Sequence, residues 1–82
     1  MPTFASVDSR GHGTFWLNHP DGAMVPGRAV VASISEMQQG LPNAGAAQMT
    51  VHNVVPANSE ISFRVEVDWP TDLDLRVIYA YA

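Results

Sequence analysis

Ile61, Phe63, Val65, Val67 and Trp69 alternate with Ser62, Arg64, Glu66 and Asp68, and beyond Pro70-Thr71-Asp72 the same period of two returns in Leu73, Leu75, Val77, Tyr79 and Tyr81. Alternation of this kind puts every second side chain on one face of a half-buried strand. The two runs therefore predict a C-terminal β-hairpin with a broad apolar face. A loop over 70–72 sets Trp69 opposite Leu73, Val65 opposite Val77 and Ile61 opposite Tyr81. On the reverse face the same register sets Glu66 against Arg76, Arg64 against Ile78, Ser62 against Ala80 and Asp68 against Asp74. Because Val77 to Ala82 is uncharged on both faces, the final strand is expected to lie centrally in its sheet or under another subunit.

Upstream, Thr3 to Asp8 and Gly13 to Asn18 predict two short strands, joined as a hairpin through Ser9-Arg10-Gly11-His12. Asn18-His19-Pro20-Asp21-Gly22 and Pro26-Gly27 carry turn chemistry, so 18–27 is expected to be irregular. Arg28 to Gln39 reads two ways. Val30, Ile34 and Met37 recur at helical spacing, with Gly40 and Pro42 placed to end a helix, whereas β-branched Val30, Val31 and Ile34 favour a strand. Strand is the reading taken. Gly40 to Ala47 is small and uncharged, an exposed loop or arm. Met49 to Val55 predicts a further strand with Met49, Val51, Asn53 and Val55 on one face, and Pro56 to Ser59 turns the chain into the terminal pair. Together these make one all-β domain over residues 1–82, a small antiparallel β-sandwich or barrel of five to six strands.

Composition sharpens that picture. A chain of 82 residues buries only roughly 60–65% of its unfolded surface, and with no cysteine it has no disulfide to compensate. Hydrophobic residues make up 46% and charged residues 15% of the chain, the latter well below the roughly 25% usual in soluble domains. All four basic residues are arginines, Arg10, Arg28, Arg64 and Arg76. Lysine is the common guard of sheet edges, and arginine the residue favoured in interfaces. Biased codon usage is the competing explanation. A formal charge of −4 argues against nucleic acid or an anionic membrane as partner. Met1-Pro2-Thr3-Phe4 lacks the basic start and apolar core of a signal peptide, so synthesis in the cytoplasm without a leader is expected.

Candidate chemistry is sparse. Asp68, Asp72 and Asp74 cluster at the predicted hairpin end, where Ca²⁺ is conceivable, but their spacing matches no calcium loop, so a solvated acidic turn is expected. His12, His19 and His52 lack the spacing of a zinc site, and Asp8, Ser9 and His12 share one short turn, unlike a catalytic triad. No cofactor and no enzymatic activity are expected. Trp69, Tyr79 and Tyr81 fall on the predicted core face. Trp16, flanked by Phe15 and Leu17, gives its strand large apolar groups on both sides, so one of those faces must meet something outside the domain.

The residues expected at an interface are accordingly Trp16, Arg64, Arg76, Ile78 and Ala80. A short, cysteine-free, charge-poor β-domain with loop-like arms resembles in ground plan the capsid decoration (cement) proteins and tail-fibre modules of tailed bacteriophages. That likeness of class implies a structural subunit of a homo-oligomer or of a larger lattice such as a capsid shell, destined for the virion, with 18–27 and 40–47 as contact arms. The alternative is a carbohydrate-binding, lectin-like module built on Trp16 and the acidic hairpin end.

Overall fold

The computed structural model describes residues 2–43 and 45–82. Seven strands form among them and no helix: β1 (Thr3–Gly11), β2 (Gly13–Pro20), β3 (Val30–Gln38), β4 (Leu41–Asn43), β5 (Gln48–Ala57), β6 (Glu60–Asp68) and β7 (Leu73–Tyr81). They make two antiparallel sheets, one in the order β1-β7-β3-β4 and the other in the order β2-β6-β5. The segment 28–39 is thus a strand, its β-branched residues prevailing over the helical spacing.

β6 and β7 follow one another across a turn, as the alternation requires, but they do not pair with each other as the expected hairpin does. Each lies inside a different sheet, β6 between β2 and β5 and β7 between β1 and β3. Pairs such as Glu66 with Arg76 or Asp68 with Asp74 therefore do not form. The apolar face is shared across the sandwich instead of along one sheet. Ile61, Phe63, Val65 and Val67 of β6 and Leu75, Val77 and Tyr79 of β7 all have exposures of 1% or less. Each such side chain taken out of water contributes roughly 1.5–3 kcal/mol. Trp69, expected in this core, lies past the end of β6 in the crossing turn, where its N–H donates to the Val67 carbonyl at 2.9 Å; it stays 39% exposed.

Other crossings follow the same plan. β1 and β2 are not a hairpin: β1 runs on to Gly11, and Gly13, at φ +70°, turns the chain at His12 into the opposite sheet. β3 and β4 do form a hairpin, through Gln39 and Gly40 at φ 53° and 77°. The segment expected to be a loop over 40–47 is thereby partly a strand, tied down where Asn43 Nδ2 donates to Glu36 at 2.8 Å; residue 44 lies outside the described residues. In β5 the alternation breaks at a bulge. Val51 pairs with Val65 and Asn53 with Arg64, leaving His52 as the extra residue. Val54, not Val55, consequently joins Met49 and Val51 against the core, since one inserted residue exchanges the faces of all that follow.

The segment 18–27, expected as an irregular arm, begins as strand, since Asn18 to Pro20 complete β2, and the loop that follows is bound to its own domain. Asp21 N–H donates to the Ser59 carbonyl (3.1 Å) and Ser59 N–H to the Met24 carbonyl (3.0 Å), and Met24 is 1% exposed in the core. The Tyr79 hydroxyl donates to Asp21 Oδ2 at 2.6 Å, while Asp21 Oδ1 accepts from the Ala23 N–H at 2.9 Å. These two bonds, Tyr79 first, hold the Asp21 carboxyl below the ordinary carboxylate range. Burial, and then the Asp21 carboxylate, push the Tyr79 phenol well above its ordinary value. At the other end of the loop Arg28 lies 5.3 Å from the centroid of the Tyr81 ring and donates to the Ala82 carbonyl at 2.8 Å.

Tyr79→Phe is expected to cost about 1.5–2 kcal/mol in chemical denaturation, the lower part of the range for a bond to a charged acceptor because Asp21 is only half-buried. The sign with pH follows. Asp21 titrates lower folded than unfolded, so its contribution is present above the ordinary carboxylate value and is lost as pH falls through the lowered one. Stability of the parent should fall on acidification, and the variant should fall less steeply.

Candidate functional site

Along β1, β7 and β3 the residues that do not enter the core stack in rows on the outer face of the larger sheet. Phe4, Ala80 and Val31 form one row and Ser6, Ile78 and Ser33 the next, followed by Asp8, Arg76 and Ser35, and then Arg10 and Asp74. The first row is apolar and open, and in the second Ile78 stands between two exposed serines: Phe4 is 70%, Val31 72% and Ile78 38% exposed. Ala80, at 8%, is the floor between them. Small residues among large ones give relief. One hollow of about 190 Å³ is lined by Phe4, Val31, Ser33, Ile78 and Ala80; Phe4 separates it from a second of about 260 Å³, and Val31 from a third of about 200 Å³.

The lower rows of the same face are charged, and each charge has a partner. Arg76 grips Asp8 through two nitrogens at 2.6 and 3.1 Å, Arg10 meets Asp74 at 2.9 Å, and His12 meets Asp72 at 2.5 Å just past the strand ends. The hydrogen bonds from Arg76 hold the Asp8 carboxyl below its ordinary range and raise the Arg76 guanidinium above its own. Signs alternate along β1, which makes the ladder a register lock. A slip of two residues sets Asp8 against Asp74 in one direction and Arg10 against Arg76 in the other, like charges in both cases.

Trp16, Arg64, Arg76, Ile78 and Ala80 do not form a single surface. Arg76, Ile78 and Ala80 share the outer face just described, whereas Trp16 and Arg64 are register partners on the outer face of the smaller sheet, in one row with Asn53. There Trp16 is 52% exposed. Around that row the polar groups satisfy one another: Ser62 Oγ donates to Asn18 at 2.7 Å, and His52 bonds Glu66 at 2.7 Å. Asp68 ends β6 in one sheet while Asp74 lies on β7 in the other, so the three acids expected together are divided. Asp72 and Asp74 are held by His12 and Arg10. Among the described residues no group of three or more His, Asp or Glu converges on a metal position. His19, read as a turn residue, belongs to β2 and lies edge-on to Tyr79 at 6.3 Å between ring centroids.

Phe4 and Val31, the most exposed members of the apolar face, escaped the sequence reading. The signal was present in β1, where Ala5 and Val7 share a parity that Phe4 opposes. A strand that buries its small residues and exposes its largest one has a second surface to cover. Set against known proteins, the chain matches no family model, no curated protein and no solved structure.

Reversing one charge in the ladder should weaken the domain more than deleting it. Arg76→Asp is expected to lower the urea midpoint below that of Arg76→Ala, and adding Asp8→Arg to Arg76→Asp should recover most of the loss. Recovery should shrink in high salt, where exposed pairs are screened.

Proposed function

We propose that this protein is a non-catalytic structural subunit, a small β-domain that works by being buried between copies of itself or within a larger lattice, in the manner of proteins that decorate and cement bacteriophage capsids. The observation that carries this reading is the exposed apolar face of Phe4, Val31 and Ile78. A monomer in water gains nothing by leaving its largest β1 side chain outside while alanine and valine face the core, whereas a subunit gains buried area when it docks. The chemistry of the chain supports the same view: Arg10, Arg76, His12 and His52 are each spent on a carboxylate. In such a role the mechanism is mechanical, with contact area holding neighbours in place.

One observation favours a second reading. Trp16 stands half exposed beside Arg64 and Asn53 on an outer sheet face, the arrangement on which a sugar ring stacks and finds polar partners. A carbohydrate-binding module is the runner-up.

Light scattering behind a sizing column, followed across a dilution series, tests the assembly reading. The expected mass is a multiple of 8.9 kDa, and Phe4→Asp should return the protein to a single copy at concentrations where the parent stays assembled. A single-copy mass at every concentration overturns self-assembly. For the runner-up, a glycan screen is the test: Trp16→Ala should abolish any sugar binding while changing stability by no more than about 0.5 kcal/mol, as is usual for an exposed position.

A further inference from the structure

We infer that residues 21–27 are a latch on the end of the sandwich, which swings out and returns while both sheets stay whole, and that the Asp21 carboxylate is its catch. A latch of this kind belongs to the single chain and operates whether or not copies assemble.

Two fixed points bound the segment. Pro20 closes β2 in register with Glu60, and Arg28 is held at the end of the larger sheet by the Ala82 carbonyl and the Tyr81 ring. Between them no residue pairs with a strand, so the segment can leave without breaking a ladder bond. Little else is lost with it. Gly22, Ala23, Val25, Pro26 and Gly27 are already exposed, and Met24 alone is buried. Local openings below the global one are drawn from segments like this, with few buried apolar contacts.

The ties that hold the segment shut converge on Asp21. Its N–H donates to the Ser59 carbonyl, on the turn between the two strands β5 and β6 of the smaller sheet, and its carbonyl accepts from the Met24 N–H, each at 3.1 Å. Its carboxylate accepts from the Tyr79 hydroxyl of the larger sheet at 2.6 Å and from the Ala23 N–H at 2.9 Å. One residue thus fastens the segment to both sheets and shapes the bend that sends Met24 inward. Ser59 N–H, donating to the Met24 carbonyl at 3.0 Å, completes the closure.

Charge around the catch is one-sided. His19 of β2 and Arg28 both favour the ionised carboxylate. β7 presents Tyr79 and, stacked beside it, Tyr81, and the β5–β6 turn presents Ser59, followed by the exposed Glu60. A hydrogen bond to an ionised acceptor is roughly twice as strong as one between neutral groups. The catch therefore grips while Asp21 is charged and slackens as pH falls through its lowered titration. Opening uncovers the Met24 thioether and the Tyr79 hydroxyl together.

Amide hydrogen exchange followed by NMR across low urea concentrations tests the latch on the parent chain. The amides of Asp21, Met24 and Ser59 should share one opening equilibrium, at least about tenfold more frequent than the opening that frees the amides in the middle of β6 and β7. Its urea dependence should be shallow, because little surface is uncovered. Asp21→Asn, which keeps the shape of the side chain and removes its charge, should raise the opening frequency by roughly a further tenfold, and acidifying the parent should act in the same direction. Exchange of all three amides only along the steep urea dependence of mid-β6 and mid-β7 would overturn the latch. A separate opening that Asp21→Asn leaves unchanged would overturn Asp21 as its catch.

Discussion

Two neighbouring strands, β6 and β7, lay their alternate side chains against each other from opposite sheets, and nearly everything else in the domain is arranged to keep them dry. A chain this short cannot build several layers, so the seven side chains from Ile61 to Tyr79 that lose all contact with water are the source of its cohesion. β1 and β3 flank β7, β2 and β5 flank β6, and the loop that brings Met24 into the core seals one end. Tyr79 joins the two kinds of chemistry. Its ring packs on Phe63 at 5.3 Å between centroids, and its hydroxyl reaches Asp21, so burial of a polar tip becomes the tie that fixes the sealing loop.

Much of this was legible in the chain. Period-two alternation identified β6, β7 and the all-β class, and the turn residues located most of the connections. Alternation says which side chains share a face but not what that face opposes. Leu75 and Val77 alternate in the same way whether they lie beside Val65 in one sheet or across from it in another, and the expected pairing of β6 with β7 went astray there. The bulge at His52 was invisible for a related reason: an extra residue leaves the composition of β5 unchanged while exchanging the roles of Val54 and Val55. For the candidate surface, Ile78 and Ala80 could be placed because their strand loses its charges on both faces. The parity of β1 sets Phe4 outward, but that Phe4 and Val31 share one surface with Ala80 was not legible, since the rows joining them exist only once β1, β7 and β3 are brought together.

The two outer faces solve the problem of a charge-poor sequence differently. On the smaller sheet Ser62 with Asn18 and His52 with Glu66 give a polar exterior from which Trp16 protrudes. On the larger sheet the few charges are gathered into a ladder at one end, leaving the other end uncharged, with Phe4, Val31 and Ile78 exposed beside Ser6 and Ser33. Grouping opposite charges this way locks the pairing of β1 with β7 and clears space for contact, two tasks accomplished by the same side chains.

The pairing of Thr3 with Tyr81 bears on how the protein comes to be folded. β1 is the first of these seven strands to be made, yet its only neighbour in the larger sheet is β7, the last of the seven. The β5–β6 and β3–β4 pairs have their partners close at hand, whereas β2 must wait for β6 and β1 for β7, and the pairing of β1 carries the larger entropy of loop closure. Until then β1 is an unpaired strand with Phe4 on one side and Val7 on the other. The interval between its synthesis and its pairing is when the protein is most exposed to misassociation.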